Sequence, residues 1–287
     1  MTREYYYLVA GLPDILLDQE RKDINIIKLK EELEELMHPD DFVLVELIHF
    51  EYDNFNFLNF LLNRNQEFNP LGKFPQDLFN DIDENLDSFP TYIQRFYRWF
   101  KGKSQEDEQD EDEDFERDEK VEKNPEVRFQ EYFYHYISSN QNRFIIEWFA
   151  FLRDFNNILT AINCRKQGLE VAPQLVGSGD LVEALARSQS PDFGLKRDVN
   201  YLDTILQISD ISDILDRERR LDMLKWDMAN DITTFDYFNI ERILAFFVKA
   251  GIVYRWLKLD AKVGAEMFQK LVKEVKDTYQ LPKEFAK

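Results

Sequence analysis

Three histidines, a single cysteine and a surplus of carboxylates are the side chains of this chain that could carry chemistry. His38, His49 and His135 lie far apart, and none has a second ligand type at metal spacing. HExxH and Cys/His clusters are absent from the sequence, so each histidine reads as a surface or packing residue. Cys164 follows the apolar face of its helix and has Arg165 and Lys166 beside it. Those charges would lower a thiol pKa, as a nucleophile requires, but a small half-buried residue is the simpler reading. Gly177-Ser178-Gly179 is a lone GxG without a third glycine, a preceding strand or a P-loop Lys-Ser/Thr. It suits a loop before a helix cap better than a phosphate cradle. Carboxylates are abundant and no pair stands apart from the rest. The sequence carries no signature of an enzyme, a cofactor site or a metal site.

The bulk composition sets the frame for those residues. The chain has 287 residues, 44% of them apolar and 15% aromatic, which is ample for a packed core. Only nine glycines and nine prolines punctuate it, favouring long helices over many strands and turns. The formal charge of −20 argues against nucleic acid, which needs a basic surface, and against direct docking on an anionic membrane. Half of that charge sits in residues 105–122, where twelve acids face two bases. Such a run repels itself and has too few apolar groups to offset its ordering entropy, so a mobile loop is expected over 104–123. It lacks the glycine and regular oxygen spacing of a calcium loop. One cysteine allows no internal disulfide and fits a reducing compartment. The opening MTREYYYLVAGLPD is too short in apolar residues for a signal peptide, and no stretch approaches the roughly 18–20 needed to cross a bilayer. A cytoplasmic protein is expected.

Helical spacing then places the elements. Tyr5 to Ala10 fits either a short strand or a first helical turn. Asp23 is the expected N-cap of a helix to Met37 that Pro39 ends. Two further helices are expected at 41–50 and 54–63, a short polar one at 75–85, and one at 90–100. Asn124-Pro125 restarts order as N-cap and first helical residue, with a helix to about Ser138. A long helix follows over about 141–167. Phe144, Trp148, Phe151, Leu152, Phe155, Leu159 and Ile162 form its buried stripe, and Gly168 is its stop. Ser178 or Asp180 caps a short helix, and Ser190-Pro191 opens another. Ser209 is expected to cap a helix to about Asn230 with Ile214 and Leu215 inward. Thr234 begins a penultimate helix ending at Lys262-Val263-Gly264, and a last helix runs from Gly264 to Tyr279. The class is all-α.

The stretch Asp154 to Gly168 carries a resemblance. Its Asp154, Asn157 and Thr160, followed by Arg165, Lys166 and Gly168, resemble the D-L-x-N-L-x-T-x-L…K-x-x-G segment of the V-type ATPase C-subunit family, whose eukaryotic member is the d-subunit. Gly177 and Gly179 fall where that family has a Pro-Gly-Gly loop, here without the proline. Ile240-Glu241-Arg242-Ile243-Leu244-Ala245-Phe246 is similar to the family's I-E-x-V-L-A-Y helix, and Lys262 with Gly264 to its ending. Gly251 and Tyr254 stand where the family has Glu and Asn. The opening Tyr5 to Pro13 resembles a bacterial family found alongside V-type ATPase subunits in Bacteroidetes.

That resemblance implies a funnel of similar helical lobes that performs no chemistry. The funnel links the rotating central shaft of a rotary ATPase to the membrane rotor ring and supports ion transport. The partners would be those other subunits, and the chain would sit in the cytoplasm, peripheral to the inner membrane through the complex. The acidic run divides the chain into an N-terminal lobe over 1–103 and a C-terminal region over 124–287, where the shared Lys-x-Gly endings at Gly168 and Gly264 suggest a pseudo-repeat. An acidic helical interaction scaffold unrelated to ATPases is the alternative, with an enzyme of unfamiliar type behind it.

Overall fold

The computed structural model describes residues 3–16, 25–102 and 123–278, with side chains as far as residue 259. The acidic run and Asp23 lie outside the described residues. Every regular element described is helical: α1 Tyr6–Gly11, α2 Ile26–Leu36, α3 Pro39–Leu61, α4 Gln76–Asn80, α5 Ile82–Asn85 and α6 Thr91–Phe100 come first. After residue 123 come α7 Pro125–Ser138, α8 Arg143–Gln167, α9 Asp180–Arg187, α10 Leu202–Ser209, α11 Ile214–Ile232 and α12 Ile240–Thr278. The protein is all-α, as the punctuation and periodicity imply.

Local chemistry explains the boundaries, including those that differ from expectation. Asn25 caps α2 by accepting from the amides of Ile27 and Lys28. Asn124 caps α7 through Val127 N at 2.8 Å, with Pro125 at the first helical position as expected. Asn142 caps α8. The two helices expected over 41–63 are one helix, α3. No Gly or Pro interrupts it, and Asp53, Asn54 and Asn56 bond sideways to other segments instead of capping a new start. α2 ends at Leu36 with Met37 as its C-cap, just before Pro39 as expected, and Pro39 is also the first residue of α3, with His38 as N-cap.

Further along, Gly179, not Ser178 or Asp180, is the residue before α9. The turn after Ser190 forms no helix until Leu202. Asp213, not Ser209, caps α11, because the Ser209 hydroxyl bonds back to Ile205 O at 2.8 Å. Ile214 and Leu215 are consequently 64% and 56% exposed rather than inward. Thr233 and Thr234 likewise bond back into the end of α11, so α12 starts only at Ile240.

Gly264 does not end a helix: α12 passes through it to Thr278 as one 39-residue element. A mid-helix glycine costs only about 1 kcal/mol against alanine, and the residues after Gly264 are strong helix formers. After Gly168, by contrast, Pro173 leaves room for no more than about one further turn.

α8 is the hub. It packs against α3, α7, α9, α10, α11 and α12. Phe144, Trp148, Phe151, Phe155 and Ile162 of its predicted stripe are buried, and Leu152 and Leu159 pack partly buried against the same core. Beside it, α3, α6 and α7 interlock through rings: Phe57–Phe129 at 5.1 Å, Phe96–Phe129 at 5.0 Å and Tyr92–Phe133 at 5.4 Å between centroids. Phe133 meets Phe149 of α8 edge-on at 5.5 Å, carrying the ring layer into the hub. Each such pair adds about 0.5–1.5 kcal/mol to its area burial.

Candidate functional site

The polar residues of the Asp154–Gly168 stretch are ties between the hub helix and the loops that follow it. Asn157 is buried, and its amide makes two bonds to one backbone unit: Nδ2 donates to Val176 O at 2.9 Å and Oδ1 accepts from Val176 N at 2.9 Å. The next residue, Gly177, donates its amide to the buried Glu131 carboxylate of α7 at 3.1 Å. Lys123 bridges the same carboxylate and reaches Gly177 O at 3.4 Å, while Arg128 stands 3.6 Å from it. The loop after α8 is therefore held from two helices at once.

One turn before the helix end, Arg165 forks onto the carbonyls of Ser188 and Ser190 and lies over the Phe193 ring at 3.6 Å. Lys166 donates to Ser209 O at 2.6 Å and pairs with Asp210 at 3.1 Å. Gly168 closes the helix in the left-handed region at φ 68, with Leu169 N bonded to Cys164 O at 2.9 Å. Asp154 pairs with Arg153 at 2.9 Å, and Thr160 is half-buried on α8. Gly177 and Gly179 both take positive φ, 84 and 106. The structure thus sets Arg165, Lys166 and Gly168 at the C-terminal end of α8, while Asn157 holds the Val176-Gly177 loop nearly three turns earlier on the same helix. Glu241 lies elsewhere, at the start of α12, where it is buried and accepts from Asn142 Nδ2 at 3.1 Å. Lys262 and Gly264 belong to the continuous later part of α12, away from any helix end.

A second set of ties, absent from the sequence expectations, sits on α3. Asn56 clamps Asn69 as Asn157 clamps Val176: Nδ2 donates to Asn69 O at 2.9 Å and Oδ1 accepts from Asn69 N at 2.8 Å. Asp53 accepts from Lys73 N at 2.9 Å and Phe74 N at 3.0 Å. Its carboxylate leaves no room at Gly72, where a Cβ would stand 2.5 Å from Oδ1. α3 also ends like α8: Asn63 takes φ 52, and Arg64 N bonds to Asn59 O at 2.8 Å. A signal was available in Asp53-Asn54-Phe55-Asn56-Phe57-Leu58 beside Asp154-Phe155-Asn156-Asn157-Ile158-Leu159, which share Asp, Asn and Leu at equal spacing. A third buried tie joins α11 to α12. Asp222 pairs with Arg255, accepts from Trp256 Nε1 at 2.8 Å and has Lys225 at 3.8 Å.

The groups with reactive potential have other surroundings. Arg165 and Lys166 turn away from Cys164 to their carbonyls, and burial pushes the thiol up rather than down, the opposite of what a nucleophile needs. His49 is buried between Phe247 at 4.7 Å and Tyr52 at 5.2 Å, and burial together with the charge of Lys30 lowers it to about 3. His38 serves as the cap of α3 and His135 lies exposed on α7. Among the described residues no three His, Cys, Asp or Glu side chains are grouped to hold a metal ion, and no helix is long and apolar enough to cross a membrane.

No curated protein and no solved structure matches the chain. A family model does, over residues 1–279, and the chain belongs to that family, described as protein of unknown function (DUF2764).

Proposed function

We propose that this chain is a non-catalytic central-stalk component of a bacterial V-type ATPase, linking the rotating shaft to the membrane rotor ring. The observation that carries the proposal is the Asp154–Gly168 stretch. Three of the residues that resemble the V-type ATPase C-subunit family, Asn157, Arg165 and Lys166, fasten the hub helix to three successive loops, at 176–177, 188–193 and 209–210. A spacer must pass torque without yielding. Close-packed aromatic interiors transmit strain, and directional ties at a helix end keep the loops from swinging under it. The matching amide clamps on α3 and α8 support a body built from a repeated helical unit, with its partner in α3 rather than at Gly264.

Removing such a spacer should leave ATP hydrolysis by the head intact while abolishing ion pumping. The measurement is paired: ATP turnover and ion-gradient formation in a reconstituted complex with and without this protein. Undiminished pumping in its absence, or nucleotide turnover by the isolated chain, would defeat the proposal. The exposed aromatic corner described next also suits the second reading, an interaction scaffold unrelated to ATPases. Failure to co-purify with head and shaft would favour that reading.

A further inference from the structure

Among the residues with described side chains, four Phe or Tyr rings are more than half exposed, and all four sit at one corner. They are Tyr6 at 60% and Tyr7 at 89% on α1, and Phe235 at 86% and Tyr237 at 68% in the loop between α11 and α12. The two segments are joined: Tyr5 N donates to Phe238 O at 2.5 Å, and the Tyr6 and Phe238 rings lie 4.8 Å apart. The loop is also braced from behind, because Arg143 donates to Ile232 O at 2.8 Å and pairs with Asp236. These rings are thus presented on a fixed backbone. Rigid aromatic side chains clustered on a surface are the usual anchors of protein interfaces, since ordering them costs little.

The corner contains two adjoining notches. One, of about 330 Å³, is lined by Glu4, Tyr6, Phe235, Tyr237, Phe238 and Asn239. The other, of about 720 Å³, begins at the neighbouring residues Arg3 and Ile240 and is floored by Asp40, Asp41 and Asn142. The charge there is lopsided. Arg3 is shared between Asp40 and Asp41, Arg143 between Glu147 and Asp236, and Glu4 adds a further carboxylate. Two buried acceptors beside the seam, Glu241 Oε2 and Asn239 Oδ1, have no hydrogen-bond donor among the described residues. An apolar knob with an acidic, donor-poor surround calls for an apolar surface edged with cations.

We propose that this corner docks a protein partner presenting an aliphatic groove rimmed by Lys or Arg, with Phe235 and Tyr237 as the anchors. Naming that partner as the central shaft rests on the rotary-stalk proposal. The shaft is chosen over the rotor ring because an acidic rim would be repelled at the level of anionic headgroups.

The test uses the full chain, with purified shaft protein and purified rotor ring as separate probes. The variants are a Phe235→Ser/Tyr237→Ser pair and Glu4→Lys, both at exposed positions, with circular dichroism to show that each folds. Wild type should bind shaft; the serine pair should weaken binding on the order of tenfold or more, and Glu4→Lys by a smaller factor. Added salt should weaken binding of wild type more than that of Glu4→Lys. Shaft binding unaltered by the serine pair would overturn this docking surface while leaving the stalk assignment standing. Binding to neither shaft nor ring would overturn the stalk assignment and the named partner with it. Self-association, or binding to phosphatidylglycerol vesicles, that is lost in the serine pair would assign the corner to a second copy or a lipid surface and refute the proposal.

Discussion

Two regions of this molecule are held together by different physics. Between α3, α6 and α7, the cohesion is a layer of rings, with Phe57, Phe96 and Phe129 in mutual contact. Along the C-terminal half of α8 it is a set of directional bonds from Asn157, Arg165 and Lys166 to backbone carbonyls and amides. Ring packing is strong in sum but weakly directional, so it fixes how firmly the helices adhere. Amide clamps are individually modest but fix the position of one backbone unit, so they decide where a loop sits. The contrast teaches that removing a ring should lower global stability, whereas removing a clamp should loosen one loop.

Phe96→Ala or Phe129→Ala should have the largest effect, a loss of about 3–5 kcal/mol in urea unfolding, because both rings are fully buried. A loss below about 1 kcal/mol would mean that the ring layer is not the source of cohesion. Asn157→Ala should cost about 2 kcal/mol by leaving both polar atoms of Val176 without a partner. Hydrogen exchange should show the change concentrated at residues 175–177, and Asn56→Ala should do the same at Asn69. Uniform loss of protection across the chain in either variant would erase the distinction between the regions.

Acid should act through His49. Its folded value of about 3 lies below the ordinary value of 6.5, so between these the unfolded chain binds a proton that the folded one does not. The contribution of His49 is then near complete above about pH 6.5 and falls as pH drops, by about 1 kcal/mol over the first full unit and about 1.4 kcal/mol per unit below it. His49→Phe should remove that contribution from the Tm-versus-pH curve and leave the opposing slope of its neighbour Asp53 exposed. Asp53, one turn further along α3, is raised by burial to about 6 and works in the opposite sense, losing stability as pH rises from about 4 to 6. A curve with no change in slope in His49→Phe would refute the assignment. The smallest effects should differ in sign. Gly168→Ala forces a side chain into φ 68 and should cost about 1 kcal/mol, while Gly264→Ala inside α12 should stabilise by up to about 1 kcal/mol.

The helical class, the α8 stripe, the Asn124-Pro125 start and the Gly168 stop were all legible in the sequence, because each depends on neighbours within one or two turns. The errors arose where a polar residue had two available partners. Asn54 and Ser209 read locally as helix starts, yet one accepts from Tyr92 OH at 2.7 Å and the other turns back to Ile205. Gly264 misled for a related reason: a lone glycine stops a helix only when the following residues cannot continue it. The α8 motif residues were legible as a group, but their task was not, since Ser188, Ser190 and Ser209 are marked by nothing in the sequence as the carbonyls they reach.

The bond from Tyr5 N to Phe238 O has a consequence for how the protein is made. The first helix buries no residue of its own and finds its seat on a loop more than two hundred positions later in the sequence. At roughly 5–20 residues per second, that seat emerges some tens of seconds after Tyr6 and Tyr7 have left the ribosome. Throughout that interval Arg3 and Tyr5 can reach Asp40 and Asp41, but the backbone bond to Phe238 cannot form. The final seating of α1 therefore waits on a loop made late in synthesis, however early its own residues appear.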